Sequence, residues 1–274
     1  MSPHDKQQAR PVAIVTGAAR RMGRAIALAL ADAGHDLLVH YGNSAAEAAD
    51  VVREVNARGR RALAVRADLA RAASTLPALF QRCCDELGVP SVLVNNASVF
   101  EYDSLDTLSA DSLERHMRIN LLAPLIATRE LAAGCKASGR QGVAVHLLDQ
   151  KLFNANPDFA SYTLSKSALH QAVTLGAMAH APHLRVVGVA PGLTMVSGDQ
   201  TSAGFERAHQ RTPLQRGSTP ADIAAAVVFA VQCGSVTGTT LVVDGGQHLA
   251  GSPRDVMFLT GDDGRASAPD ATRP

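Results

Sequence analysis

The chain contains no tryptophan, and aromatic residues make up only 4% of its 274 positions. All-β cores lean on aromatic and β-branched residues. That shortage, beside 22 glycines and abundant alanine, suits closely packed helices on a sheet better than a β-sandwich. Excess charge is also missing: 26 Lys and Arg face 25 Asp and Glu, a net of +1. This removes the basic footprint of a nucleic-acid binder and the acidic run of a solvating tail. The longest apolar run, Ile223 to Val231, falls far short of the roughly 20 residues that span a bilayer. The polar start, MSPHDKQQARP, lacks the apolar stretch of a signal peptide. Four cysteines, Cys83, Cys84, Cys135 and Cys233, show no ligand spacing. They read as reduced packing residues of a cytoplasmic protein, and no metal site is expected.

What is present is a rhythm. Apolar residues reach 46% against 19% charged, enough for one large core. Short apolar runs at Val12–Thr16, Leu37–His40, Ala62–Arg66, Val92–Asn95, Val143–Leu148, Val186–Ala190 and Leu241–Val243 read as strands. Helical stretches separate them, including Arg21–Ala33, Ala110–Lys136, Ser161–Ala179 and Pro220–Gln232. Ser44, with Glu47 three residues on, reads as a capping box. Strands alternating with helices imply parallel βαβ units with right-handed crossovers. The fold class is therefore α/β: a single Rossmann-type, doubly wound domain over residues 11–250, with a seven-stranded parallel sheet and helices on both faces. Residues 1–10 read as a flexible N-terminus. Residues 251–274 read as a polar tail carrying an apolar patch, Val256 to Leu259.

The first strand runs straight into Thr16-Gly17-Ala18-Ala19-Arg20-Arg21-Met22-Gly23. Small residues between a strand and a helix let backbone N–H groups approach a pyrophosphate, so this loop predicts a dinucleotide site. NAD binders place a carboxylate at the end of the second strand. Here that end reads His40-Tyr41-Gly42-Asn43-Ser44, and Asp36 sits at the strand's start instead. With Arg20 and Arg21 in the adjacent loop, the expected cofactor is NADPH. His40 either touches the cofactor ribose or simply ends its strand. Tyr162 and Lys166 lie four apart, on one face of a helix. An ammonium there is expected to lower the tyrosine pKa toward useful acid–base work. His146, in a core strand, reads as a satisfied structural histidine. Arg216 reads as an ion-pair partner before the Pro220 helix. Tyr102 is left between substrate mouth and exposed loop.

The Thr16–Gly23 loop, Asn95-Asn96-Ala97, Tyr162-Thr163-Leu164-Ser165-Lys166 and Pro191-Gly192 occur in order at separations that resemble a short-chain dehydrogenase/reductase over residues 10 to 250. The resemblance implies that Lys166 also binds the nicotinamide ribose and that Asn120 completes the catalytic group. It implies that Asp68, with Leu69, lies beside the adenine and that Asn95 to Ala97 line the cofactor. Pro191, Gly192 and Leu193 would edge the nicotinamide and substrate pocket, with Thr194 near the amide or phosphates. Such proteins usually form homotetramers through the two long helices.

Three departures narrow the resemblance. Asp149 stands where most members carry serine, Arg21 where most carry glycine, and Phe100 lies at the pocket mouth. Together with Ser98 these resemble pteridine reductases and bacterial dihydromonapterin reductases. That subgroup implies a reduced pterin stacked on Phe100, Arg21 meeting cofactor phosphate and substrate, Ser98 contacting both, and Asp149 working with Tyr162. Protozoan members carry His-Arg where this chain has Gly42-Asn43, so the 2′-phosphate would lean on Arg20, Arg21 and Ser44; Asn43 is a further expected cofactor residue. A flat ring rich in N–H groups suits a stacking ring with polar edges. A carboxyl raised by burial suits protonation of a ring nitrogen. The expected function is NADPH-dependent reduction of a dihydropterin such as dihydromonapterin, dihydrobiopterin or dihydrofolate. The alternatives are a carbonyl or 3-oxoacyl reductase and a non-catalytic cofactor sensor. Met195 to Arg211 is expected to be a mobile substrate loop. Ser252 to Leu259, with Arg254, is expected to fold over a neighbouring subunit's pocket.

Overall fold

Successive side chains of β1 (Val12–Val15) leave the strand in opposite directions, and both sides are buried. Val12 and Ile14 enter one apolar core, Ala13 and Val15 the other. A strand with no solvated face belongs in the middle of a covered parallel sheet. The computed structural model, which describes residues 10–196 and 201–259, places it there. β2 (Asp36–Tyr41), β3 (Ala62–Arg66), β4 (Val92–Asn95), β5 (Gly142–Leu147), β6 (Leu184–Pro191) and β7 (Thr240–Val243) complete a seven-stranded sheet. Its order is β3-β2-β1-β4-β5-β6-β7, and every pairing is parallel. The expected flexibility of residues 1–9 and any order in residues 260–274 lie outside the described residues.

One core is closed by α1 (Arg21–Asp32), α2 (Ala45–Ala57) and α8 (Pro220–Gln232), through Ile26, Leu30, Val51, Val55, Ile223 and Val227. The other is closed by α3 (Ala72–Glu86), α5 (Ala123–Ser138) and α6 (Ala160–His180), through Leu76, Phe80, Leu131, Leu169 and Val173. Cys83 and Cys135 are buried in this second core as free thiols, and burial pushes Cys83 up to about 12. The order reverses between β1 and β4, which opens a crevice at the strands' C-terminal ends where α/β sheets bind ligands.

Three local expectations change. Ser44 sits at the N-terminus of α2, but its side chain makes no capping bond. Its ψ of 62° lies outside the extended region from which a serine reaches the first-turn amides. Thr219, with ψ 163°, does reach them and forms a full box with Asp222, while Arg216 pairs with Asp222 at 3.2 Å as expected. The expected helix Ala110–Lys136 is two helices, α4 (Ala110–His116) and α5, joined by a π turn over Met117–Leu122. Hydrophobic spacing does not register one wide turn. The segment after Met195 also contains a helix, α7 (Ser202–Gln210), capped by Thr201; residues 197–200 lie outside the described residues.

Candidate active site

The β1–α1 loop is shaped by backbone. Gly17 has φ +62°, and a Cβ on Gly23 would meet the Gly17 carbonyl oxygen at 2.1 Å. Only glycine lets the helix start this close to the loop. Arg20, the residue before α1, is extended and makes no side-chain cap, and the first turn carries no acid. No Arg20 side-chain cap or first-turn acid competes for the N-terminal end of α1, which fits a pyrophosphate there. Arg21 has φ +52°, a conformation costing a non-glycine residue about 1–2 kcal/mol. Its guanidinium donates to the Val196 carbonyl at 2.9 Å, bridging the loop to the segment after β6.

Thr16 fixes the opposite wall. Its hydroxyl accepts from the Asn96 and Ala97 amides at 3.0 and 3.1 Å, and Asn96 Nδ2 returns a bond to the Thr16 carbonyl. Asn120, within the π turn, is buried. Its amide donates to the Val99 carbonyl and to Ser165 Oγ, and accepts from the Val99 amide and Ser98 Oγ. Asn120 therefore anchors the Ser98–Val99 loop, and none of these bonds goes to Tyr162 or Lys166.

At the end of β5, Tyr162 Oη donates to Asp149 Oδ2 at 2.8 Å, and Asp149 Oδ1 accepts from the Lys151 amide. Burial pushes the Asp149 carboxyl up, against the pull of those two bonds. The expected lowering of Tyr162 does not occur. Burial, then the Asp149 charge, hold the phenol well above its usual range. Lys166 explains why: its Nζ donates to the Leu147 carbonyl at 2.7 Å and lies 5.7 Å from the Tyr162 ring centroid, and burial brings it down to about 8. His146 is the expected structural residue. It bonds Asn95 Nδ2 at 3.1 Å, and burial holds it neutral, down to about 3.

The outer wall combines aromatics with a charge clasp. Phe100 stays 41% exposed while Phe159 stacks on it at 4.2 Å and Tyr162 meets it edge-on at 4.7 Å. Tyr102 packs edge-on against Phe159 and Phe258, so it belongs to this cluster and not to the pocket lining. From the tail, Arg254 pairs with Asp158 at 2.8 Å, and the Asp255 amide donates to the same carboxylate. Burial raises Asp158, but the Arg254 and Asp255 bonds outweigh it and leave the carboxyl low. The buried Lys151 ammonium reaches the Asp158 carbonyl at 2.5 Å and Asp255 Oδ2 at 3.3 Å. The described part of the tail is therefore seated on its own chain.

These walls enclose a cavity of about 490 Å³. It gathers most of the expected residues: Gly17, Arg20, Arg21, Met22, Asn96, Ala97, Ser98, Phe100, Asp149, Tyr162, Lys166, Pro191, Gly192, Leu193 and Thr194. It also gathers Gly23 of the expected glycine loop, Asp255 and Val256 of the tail segment expected over a neighbour's pocket, and Lys151 and Gln247, which sequence reading missed. Other expected cofactor residues stand elsewhere. His40 is buried with both ring nitrogens engaged, accepting from the Gly17 amide and bonding the Ala67 carbonyl; it braces the glycine loop. Asn95 is buried against His146, and Leu69 lies in the core. Asp68 caps a turn by accepting from the Ala70 amide. Asn43 and Ser44 follow β2, where Arg66, also missed, donates to the Gly42 carbonyl at 3.1 Å. The Thr194 hydroxyl is shared with Ser218 at 2.8 Å. Asp36, at the far end of β2, pairs with Arg61 at 2.7 Å. Among the described residues no group of three or more His, Cys, Asp or Glu is placed to hold a metal, and no helix is long and apolar enough to cross a membrane.

Comparison with known proteins agrees with this geometry. The profile of the short chain dehydrogenase family matches residues 11–204. The chain is 36% identical to the FolM alternative dihydrofolate reductase 1 of Brucella canis, solved with NADP; the match covers 90% of this chain and 97% of that one, with a TM-score of 0.84. It is 31% identical to pteridine reductase 1 of Leishmania tarentolae, over 87% of this chain and 96% of that protein. It is 30% identical to an L-rhamnose 1-dehydrogenase (NAD(P)(+)) of a Sphingomonas species, over 86% and 95%.

Proposed function

The chain belongs to the short-chain dehydrogenase family, and from that premise we propose that it is an NADPH-dependent reductase of a dihydropterin. The observation that carries the reading is Asp149, half-buried in the pocket wall and hydrogen-bonded to Tyr162, at a position where a carbonyl reductase needs a hydroxyl for an oxyanion. A carboxylate repels an oxyanion, whereas a carboxyl whose pKa burial raises holds a proton more readily and can pass it to a ring nitrogen. Two similar proteins, the alternative dihydrofolate reductase and the pteridine reductase, support it.

NADPH is the cofactor, held at the N-terminus of α1, with Lys166 at the nicotinamide ribose and Arg20 and Arg66 offering charge to the 2′-phosphate. When bound it supplies the hydride that adds to the carbon of the substrate C=N bond. The chain's own residues handle the proton. Tyr162 and Asp149 hold it between Oη and Oδ2 and pass it to the ring nitrogen; Asn120 fixes the loop that carries Ser98. Phe100, backed by Phe159, presents a flat face for the ring, and Arg21 and Ser98 meet its polar edge. Exposed Leu122, Leu125, Leu164, Leu175 and Met178 on and beside α5 and α6 suit assembly of this cytoplasmic enzyme as a homotetramer, checked by light scattering.

The test is NADPH oxidation with a panel of 7,8-dihydropterins, beside Asp149→Ser and Phe100→Ala. Pterin turnover that both substitutions cut sharply supports the reading. A carbonyl or 3-oxoacyl reductase is the second reading, favoured by similarity to the rhamnose 1-dehydrogenase, whose name places its reaction at a sugar carbon and not at a pterin ring. It predicts ketone turnover without pterin turnover, and tolerance of Asp149→Ser.

A further inference from the structure

Beside the main pocket lies a second cavity of about 120 Å³. Gln150, Gln247, Asp255 and Val256 line both, so the two meet at a shared wall. Gln150 directly follows Asp149, whose carboxyl faces the reaction, and it is only 9% exposed. Its Oε1 is buried with no hydrogen-bond partner among the described residues. A buried acceptor left unpaired is costly and asks for a donor.

The rest of the second cavity mixes polar and apolar groups and is roofed by the tail. Asn154, Arg211, Thr212 and Ser252 line it, and the Arg254–Asp158 pair and the Asn154 bond to the Ala250 carbonyl hold its roof. Its volume matches about four waters at roughly 30 Å³ each. That admits a short chain with a few hydroxyls; an aromatic ring bearing an amino acid is too large.

We propose that this second cavity is a side-chain subsite that accepts a short hydroxylated substituent of the substrate ring, with Gln150 Oε1 taking a hydrogen bond from one of its hydroxyls. The inference rests on the dihydropterin reading and deepens it. Of the pterins that reading admits, it selects those with a polyol arm and disfavours those with an aryl-glutamate arm.

The experiment compares kcat/KM for 7,8-dihydropterins bearing at C6 a trihydroxypropyl chain, a methyl group, or the arm of dihydrofolate. The wild-type enzyme should prefer the trihydroxypropyl compound to the methyl compound by about tenfold or more. Gln150→Leu should erase that preference by raising KM for the hydroxylated compound alone. Ala250→Leu, which narrows the cavity from its outer side, should do the same and guards against misfolding of the first variant. Equal use of the hydroxylated and methyl compounds by wild type, or equal losses on both in the variants, overturns the subsite and leaves the dihydropterin reading standing. No turnover of any dihydropterin overturns that reading and the subsite with it.

Discussion

The two ends of the active cleft are built from different materials. The cofactor end is made of backbone: Gly17 in a left-handed turn, Gly23 against a carbonyl oxygen, and Thr16 tying two loops. The substrate end is made of side chains: the Asp149–Tyr162 pair, four stacked or edge-on rings, and the clasp of Lys151, Asp158, Arg254 and Asp255. Backbone geometry constrains any occupant in the same way. Side chains 96 or 104 residues apart hold a wall that can be rebuilt for another substrate without disturbing the cofactor.

The largest effect that tests this division is Asp149→Asn. The amide keeps the bond to the Lys151 N–H and reverses the one to Tyr162, so geometry survives while the proton store is lost. Turnover should fall by about 10²–10⁴-fold with cofactor affinity unchanged, read by steady-state kinetics and NADPH fluorescence. In wild type, kcat/KM should fall as pH rises, because burial raises the Asp149 pKa and the proton-holding form is lost above it. Loss of NADPH affinity in this variant would break the division.

Gly23→Ala probes the other end. Its Cβ would sit 2.1 Å from a backbone oxygen, so the loop must shift. A stability loss of about 1–3 kcal/mol and weakened NADPH binding are expected, read by thermal melts with and without NADPH. A change in pterin KM alone would contradict the comparison.

His146 sits between the ends. Its pKa is depressed to about 3, so its neutral form stabilises the fold above pH about 6.5, and that contribution fades as pH falls toward 3. His146→Gln, able to accept from Asn95, should flatten the decline in Tm between pH 6.5 and 4 by an amount equivalent to a few kcal/mol. Parallel curves would show that His146 does not titrate in that window.

Arg254→Ala loosens the clasp. The partly buried Arg254–Asp158 pair should account for about 1–3 kcal/mol, with KM for the substrate raised and NADPH binding unaltered. The smallest effect expected is from Arg21→Gly, which relieves a positive φ and should add about 1 kcal/mol of stability while weakening substrate binding.

The same division governs what could be read from the sequence. All seven strands were legible because each is a short apolar run between turn residues, and the glycine loop because its spacing is local. Asp149 and Phe100 were legible by their distance from Tyr162 and Asn96. Ser252–Leu259 with Arg254 was legible as a pocket cover from its apolar patch, but its pairing with Lys151 and Asp158 of the same chain was not, since ion pairs across about a hundred residues leave no periodic trace. The Tyr162 shift was misjudged in sign because four-residue spacing places Lys166 near the ring without revealing that its Nζ turns to the Leu147 carbonyl. The Ser44 cap failed on a backbone angle that residue type does not encode.

The π turn at Asn120 also bears on how this surface can diverge. An extra residue in a helical turn rotates everything after it by about 100°. The face of α5 that buries Leu131 and exposes Leu125 is therefore phased independently of the amide that holds the Ser98 loop. Outer positions of α5, such as Leu125, can change the surface the helix offers to another copy of the chain, generation after generation, without turning Asn120 away from its post.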